Sequence, residues 1–182
     1  MSHSLRILGI SGSLRGASYS SAVLNSLPML LPAGSAFSLL DIGALPHYNQ
    51  DLEDALPESV ISARAQVAAA DAVVLVTPEF NHGIPGVLKN TLDWLSRPAF
   101  ESCFRDKPVL FITISPGALG GVRTQYQLRE TLSSMLCRLI PLPEIAIPHV
   151  HEKLVDGKLQ DEATAKYIRK IMDHFLTALS LA

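Results

Sequence analysis

Asp71-Ala72-Val73-Val74-Leu75-Val76-Thr77-Pro78 runs directly into Glu79-Phe80-Asn81-His82-Gly83-Ile84-Pro85-Gly86, and this junction decides how the chain is read. The first part is apolar at nearly every position instead of alternating. That pattern belongs to a strand buried on both faces, inside a parallel sheet covered by helices on each side. Pro78 ends the strand, because proline has no N–H for a ladder and disfavours helix at the residue before it.

Working outward, residues 5–10 form a shorter apolar run that stops at Ser11-Gly12-Ser13, and residues 108–114 form another. Residues 36–41 and a proline-interrupted stretch within 139–147 complete five predicted strands. Between them, apolar residues recur at helical spacing. From Ser18 these are Tyr19, Val23, Leu24, Leu27 and Leu30. In 59–69 they are Ile61, Ala65 and Ala68, and in 87–95 they are Val87, Leu88, Thr91 and Leu95. In 122–136 they are Tyr126, Leu128, Leu132 and Leu136. In 158–181 they are Ala165, Ile168, Ile171, Met172, Phe175 and Leu179. Residues 42–57 read as an exposed connection. Strands alternating with helices predict a three-layer α/β domain, doubly wound about a five-stranded parallel sheet with right-handed crossovers.

The whole composition agrees with one domain over residues 1–182. The chain has 182 residues, 48% of them apolar and 18% charged, with a formal charge of −2. That charge gives no field for a polyanion, so a nucleic-acid partner is not expected. The first apolar run is too short for a signal peptide or a membrane span, and a cytoplasmic location is expected. Cys103 and Cys137 are too far apart in sequence for a redox pair or a metal knuckle.

Ligands of open parallel sheets sit outside the carboxyl ends of the strands, where strand order reverses. Three turns lie there. The first, 11–18, offers the hydroxyls of Ser13, Ser18 and, just beyond it, Ser20, with the charge of Arg15, beside the positive end of a helix. This suits a phosphate monoester, although serines that merely cap the helix give the same pattern. It is neither GxGxxG nor a P-loop. The second, 78–86, has two prolines and two glycines around Phe80, Glu79 and Asn81. Such a stiff turn suits the edge of a flat heteroaromatic ring. Glu79 either touches a ligand or ties the turn to a neighbouring N–H, and His82 either donates a proton or faces solvent. The third, 115–121, has Gly117, Gly120 and Gly121, which let backbone pass close to a ring or simply turn strand into helix. Other chemistries lack their residues: the histidines form no HExxH or compact ligand set beyond a weak His149-Val150-His151 pair, and GxSxG is absent.

Taken together, Gly12-Ser13-Leu14-Arg15 with Ser18, Pro78-Glu79-Phe80-Asn81 through Ile84-Pro85-Gly86-Val87-Leu88-Lys89-Asn90 to Asp93-Trp94, and Ser115-Pro116-Gly117 with Gly120-Gly121 resemble the NADPH-dependent FMN reductase family. This is a flavodoxin-like group that includes bacterial quinone, chromate and azo-dye reductases. The resemblance spans nearly the whole chain and implies strand order 2-1-3-4-5. It implies that Ser13, Arg15, Ser18 and Ser20 hold the phosphate of FMN. Pro78, Glu79, Phe80, Asn81 and Gly83 would line its ring, with Ser115 and Gly117 bordering it. Ser20 stands where the family commonly has asparagine, and Phe80 where tyrosine is frequent. Asn90 and Trp94 share a helix face, where a tryptophan is as easily interface or core as cofactor contact, and the resemblance implies a homodimer or a tetramer of two dimers.

The implied activity is ping-pong reduction of a quinone or another small acceptor, such as an azo compound, chromate or free flavin. NADPH or NADH is the donor, the flavin carries the electrons, and the protein supplies no catalytic nucleophile and no metal. A flavodoxin-like electron carrier is the rival reading, but carriers are usually strongly acidic and clamp the ring between aromatics. A non-catalytic scaffold is a third.

Overall fold

The computed structural model describes residues 4–180. Five parallel strands make one sheet: β1 (Arg6–Ser11), β2 (Ala36–Leu39), β3 (Ala72–Pro78), β4 (Val109–Ile114) and β5 (Ile145–Ile147), in the order β2-β1-β3-β4-β5. This is the expected order. Helices α1 (Tyr19–Ser26) and α5 (Glu162–Ser180) cover one face, while α2 (Glu58–Ala69), α3 (Gly86–Leu95) and α4 (Val122–Ser134) cover the other.

The doubly buried character of β3 shows in how its residues divide. Val73 and Leu75 enter the core shared with α2, α3 and α4, and Val74 and Val76 enter the core shared with α1 and α5. Every residue from Ala72 to Thr77 is buried, so a polar side chain there loses its water whichever face it points to and needs a partner, as Thr77 Oγ1 finds in Pro78 O at 3.1 Å.

Several expectations are corrected. The face of α2 is not Ile61, Ala65 and Ala68, which are exposed; Val60, Ala63 and Val67 point inward. The helix carries small apolar residues around most of its circumference, so periodicity does not single out one stripe, and the larger Val60 and Val67, seven residues apart, take the core. In α4, Leu128 and Leu132 are buried, but Tyr126 is exposed and Leu136 lies beyond the helix with φ 60°. The second strand ends at Leu39 and the fifth begins only at Ile145, after the prolines. The 42–57 connection is not simply exposed, since Ile42 and Leu45 reach the core.

The last helix starts at Glu162 instead of 158, and its expected end at Leu181 lies outside the described residues. Ahead of it, β6 (Leu154–Val155) and β7 (Lys158–Leu159) form a hairpin. Asp156 and Gly157 turn it with φ of 50° and 70°, the positive pair that a two-residue hairpin turn requires. Leu159 N donates to Ser26 Oγ at 3.0 Å, which pins the hairpin to α1. Asp161 then opens α5 by accepting from Thr164 N at 2.9 Å, and that hydrogen bonding holds its carboxyl below the usual carboxylate range.

Candidate functional site

β1, β3 and β4 are neighbours and parallel, so the turns after them share one edge of the sheet. Pro78 pairs with Ile114, and Ser11 with Val76. The register sets the three turns side by side, as the sequence predicts.

In the first turn, Gly12 N donates to Val76 O at 2.8 Å and carries the ladder one residue past β1. A Cβ on Gly12 would overlap Thr77 Oγ1 and lie 2.6 Å from Thr77 Cβ. Glycine is therefore demanded by the approach of the two strand ends. Ser11 and Ser21 hydroxyls meet at 2.9 Å. Ser18 is the N-cap of α1, its Oγ accepting from Ser21 N at 3.3 Å. Ser13 Oγ accepts a long bond from Arg15 N at 3.4 Å. Arg15 donates to Ala17 O at 3.0 Å and lies 5.6 Å from the Tyr19 ring centre, so its charge is held at the mouth of the turn.

What this turn leaves unused is informative. Among the described residues, the N–H groups of residues 13, 14, 16, 17, 19 and 20 have no protein acceptor. The Ser20 hydroxyl is buried with no partner. Free N–H groups gathered at a helix start, with an arginine alongside, form a cradle for an anion. A phosphate ester fits these donors.

The second turn is a tight hairpin. Phe80 and Gly83 exchange both backbone bonds, at 3.0 and 2.9 Å, around Asn81 and His82 with φ of 48° and 65°. It is braced from α4. Glu79 accepts from Arg123 N at 3.1 Å and pairs with the Arg123 guanidinium at 3.3 Å, so its carboxylate ties the turn down. Ile84 N donates to Gln127 Oε1 at 2.7 Å. A side chain on Gly83 would overlap that same oxygen, so Gly83 makes room for Gln127. Gln127 has no part in the sequence argument, and only the fold brings it to the turn. Pro78 lies half-buried, while the Phe80 ring and the side chains of Asn81 and His82 project outward.

The third turn is anchored to the chain after β5. Ser115 N donates to Ile147 O at 3.0 Å, Val150 N to Ser115 O at 3.1 Å, and His149 N to Gly117 O at 3.2 Å. Ser115 Oγ accepts from Gly117 N at 3.0 Å. Gly120, at φ 61°, would push a Cβ to 2.8 Å from the backbone of Ala146 and Ile147, and Gly121 starts α4 at φ 79°. Both are structural needs, which leaves Gly117 at the exposed tip, where a Cβ would make only an ordinary contact with Ser115 Oγ at 3.4 Å. Gln125, next to this turn in sequence, is fully buried and bonds Thr113 and Ile145.

Trp94 is core, and Asn90 lies half-buried beside it. Trp94 is fully buried, its Nε1 donates to Pro46 O at 2.8 Å, and Asn90 bonds both Pro46 O and Tyr48 N. Cys103 and Cys137 are half-buried, and that burial pushes their thiols up to about 11 and about 12, which disfavours the thiolate. No group of three or more metal-binding side chains occurs among the described residues, so none of these joins His149 and His151 as a third ligand.

The model of the NADPH-dependent FMN reductase family matches residues 5–152, which takes in all three turns. The chain belongs to that family. An NAD(P)H-dependent FMN reductase of Pseudomonas aeruginosa is 39% identical over 100% of this chain and 96% of its own length. A 2-hydroxy-1,4-benzoquinone reductase of a Burkholderia species is 38% identical, covering 94% of each chain. Among solved structures, the flavoenzyme NAD(P)H:(acceptor) oxidoreductase FerB of Paracoccus denitrificans superposes with a TM-score of 0.88 at 34% identity over 97% of both chains. As a member of the FMN reductase family the chain has the flavodoxin-like fold, and its five strands follow the family order.

Proposed function

We propose that the free N–H groups of the first turn, with Ser13, Arg15, Ser18 and Ser20, hold the FMN phosphate. We also propose that Pro78, Glu79, Phe80, Asn81, Gly83, Ser115 and Gly117 border its ring. The chain is an FMN-dependent NAD(P)H oxidoreductase acting on quinone-like acceptors. Bound FMN supplies the two-electron relay between nicotinamide and acceptor. The observation that carries the residue assignment is the cluster of unpaired N–H groups beside the unpartnered Ser20 hydroxyl.

Each part of the protein then has a distinct task. The first turn neutralises an ester dianion with fixed dipoles and one guanidinium. Ser18 keeps the start of α1 in place by capping it, and Glu79 keeps the second turn against α4 through Arg123. Asn81 projects an amide whose donor and acceptor are unpaired within the protein, suited to the polar edge of a ring. Phe80 and Leu119, each more than half exposed, present apolar surface where a planar acceptor would lie.

We propose further that residues 1–182 act as one domain, that the protein works in the cytoplasm, and that it assembles as a homodimer or a tetramer of two dimers. All five described helices pack on the two faces of one sheet, which supports the single domain. No described helix is long and apolar enough to cross a membrane. Exposed Tyr126 on α4 offers apolar surface to a second subunit.

Anaerobic stopped-flow mixing of the FMN-loaded protein with NADH or NADPH should bleach the flavin band, and a benzoquinone should restore it. Absence of bleaching with both nucleotides would overturn the reductase reading. Arg15→Ala should weaken FMN binding by about 1.5 kcal/mol, roughly tenfold, the low end for a charged hydrogen bond because Arg15 is solvent-exposed. A fluorescence titration that gave the same FMN dissociation constant for the variant would remove Arg15 from the phosphate site.

A further inference from the structure

On the β2 side of the first turn lies a cavity of about 330 Å³ that FMN does not explain. Its floor is apolar, formed by Leu24 of α1 and by Leu39, Leu40 and Ile42 at the end of β2. Asn25 and Asp41 stand on its rim. The Asn25 side chain is exposed and bonds nothing in the protein, and Asp41 spends one oxygen, Oδ1, on Gly43 N at 3.0 Å. Ser13 and Arg15 belong to the cavity wall and to the anion cradle alike. Cradle and cavity are thus contiguous.

The sheet order gives this contiguity a direction. β3 and β4, whose turns border the ring site, lie on one side of β1, and β2 lies on the other. A flavin held by those turns reaches the cradle from the β3 side and ends there in its phosphate. Anything joined to that phosphate continues toward β2, into the cavity. The volume is at the lower limit of small-molecule sites, roughly 300 Å³ and upward. An apolar floor with a carboxylate and an amide on the rim matches a heterocyclic base with its ribose. Asp41 accepts from sugar hydroxyls, as an acidic residue does beyond the second strand of a dinucleotide-binding sheet. Its charge disfavours a phosphate at that rim, which places the sugar there and the phosphates nearer Arg15.

We propose that this cavity seats the nucleoside of a flavin dinucleotide whose inner phosphate lies in the cradle, so that the protein takes FAD as well as FMN. The inference rests on reading residues 13–20 as the flavin-phosphate site.

The test is titration of the flavin-free protein with FMN and FAD, followed by quenching of flavin fluorescence. FAD should bind within about tenfold of FMN, since the cavity offsets the cost of ordering the adenosine. Asn25→Trp places a ring over the cavity from an exposed position, and should weaken FAD at least tenfold while leaving the FMN dissociation constant unchanged. Leu39→Trp, from the half-exposed edge strand, should do the same and guards against a folding defect in either variant. FAD affinity that is unaffected by both substitutions overturns the proposal. So does an elevated KM for NADPH in the variants with FAD binding untouched, because the cavity then belongs to the adenosine of the electron donor. Loss of FMN and FAD binding together in the unmodified protein would instead overturn the phosphate-cradle reading itself.

Discussion

Trp94→Ala is expected to destabilise the protein by about 3–5 kcal/mol, the range for truncating a buried aromatic side chain. Trp94 is completely buried in the core between the sheet and α2, α3 and α4. Its indole meets the Tyr48 ring edge-on, with centroids 5.0 Å apart at 71°. Its Nε1 bond to Pro46 O joins two bonds made by Asn90 one turn earlier, so α3 grips residues 46–48 at three points. Arg64 separately ties α2 to the end of α3, donating twice to the Trp94 carbonyl. Removing the indole leaves a cavity and frees one end of that connection. In a domain of this size the melting temperature should fall by roughly 10 °C or more. Trp94→Phe keeps an aromatic in the space and leaves Pro46 O with its Asn90 partner, so it should cost only about 1–2 kcal/mol beyond repacking. Equal losses for Phe and Ala in thermal unfolding would show that the indole hydrogen bond, and not the volume, carries the effect.

The contrast between Trp94 and the exposed face of α2 shows what the sequence makes legible. Strands buried on both sides declare themselves, since β3 and β4 tolerate almost no polar residue, and the parallel order follows from their alternation with helices. Glycine and serine placed after those strands mark the three turns. Helix faces are harder to read. In α2 alanine and isoleucine lie on several sides, and only the space left by neighbouring elements chooses Val60, Ala63 and Val67. In α4, Tyr126 sits at apolar spacing yet points outward, because Thr124, Gln125 and Leu128 take the inner face. The hairpin at 154–159 had its signal in Asp156-Gly157, but its strands of two residues each are too short for alternation to register.

The candidate site divides along the same line. The phosphate side is local: a serine-rich turn opening a helix within ten residues of its strand. The ring side depends on contacts more than forty residues apart, Glu79 with Arg123 and Ile84 with Gln127, and no spacing rule reaches that far. Two of the glycines in these turns, Gly83 and Gly120, also answer to a glutamine and to the backbone of β5. The cavity beside Asp41 is hidden for the same reason, since it exists only where α1, the first turn and the end of β2 converge.

Gly12→Ala joins stability to cofactor binding, and its expected effect is a loss of about 3 kcal/mol together with most of the FMN affinity. The added methyl would meet the Oγ1, Cβ and Cα of Thr77, and Thr77 is fully buried at the end of β3 with no free space to withdraw into. Neither strand yields easily, because β1 and β3 are paired along five residues up to Ser11 and Val76. The strain is relieved instead by breaking the bond from Gly12 N to Val76 O and lifting the turn, which displaces the free N–H groups of residues 13, 14, 16 and 17 relative to those of residues 19 and 20. A phosphate then faces the same residues in a poorer geometry, and directed hydrogen bonds weaken steeply with misalignment. Riboflavin, which lacks the phosphate, separates the two consequences. Its binding to the folded variant should match that of the unmodified protein, while FMN binding falls toward the riboflavin level. A variant that loses stability but keeps its full preference for FMN over riboflavin would place the phosphate outside this turn.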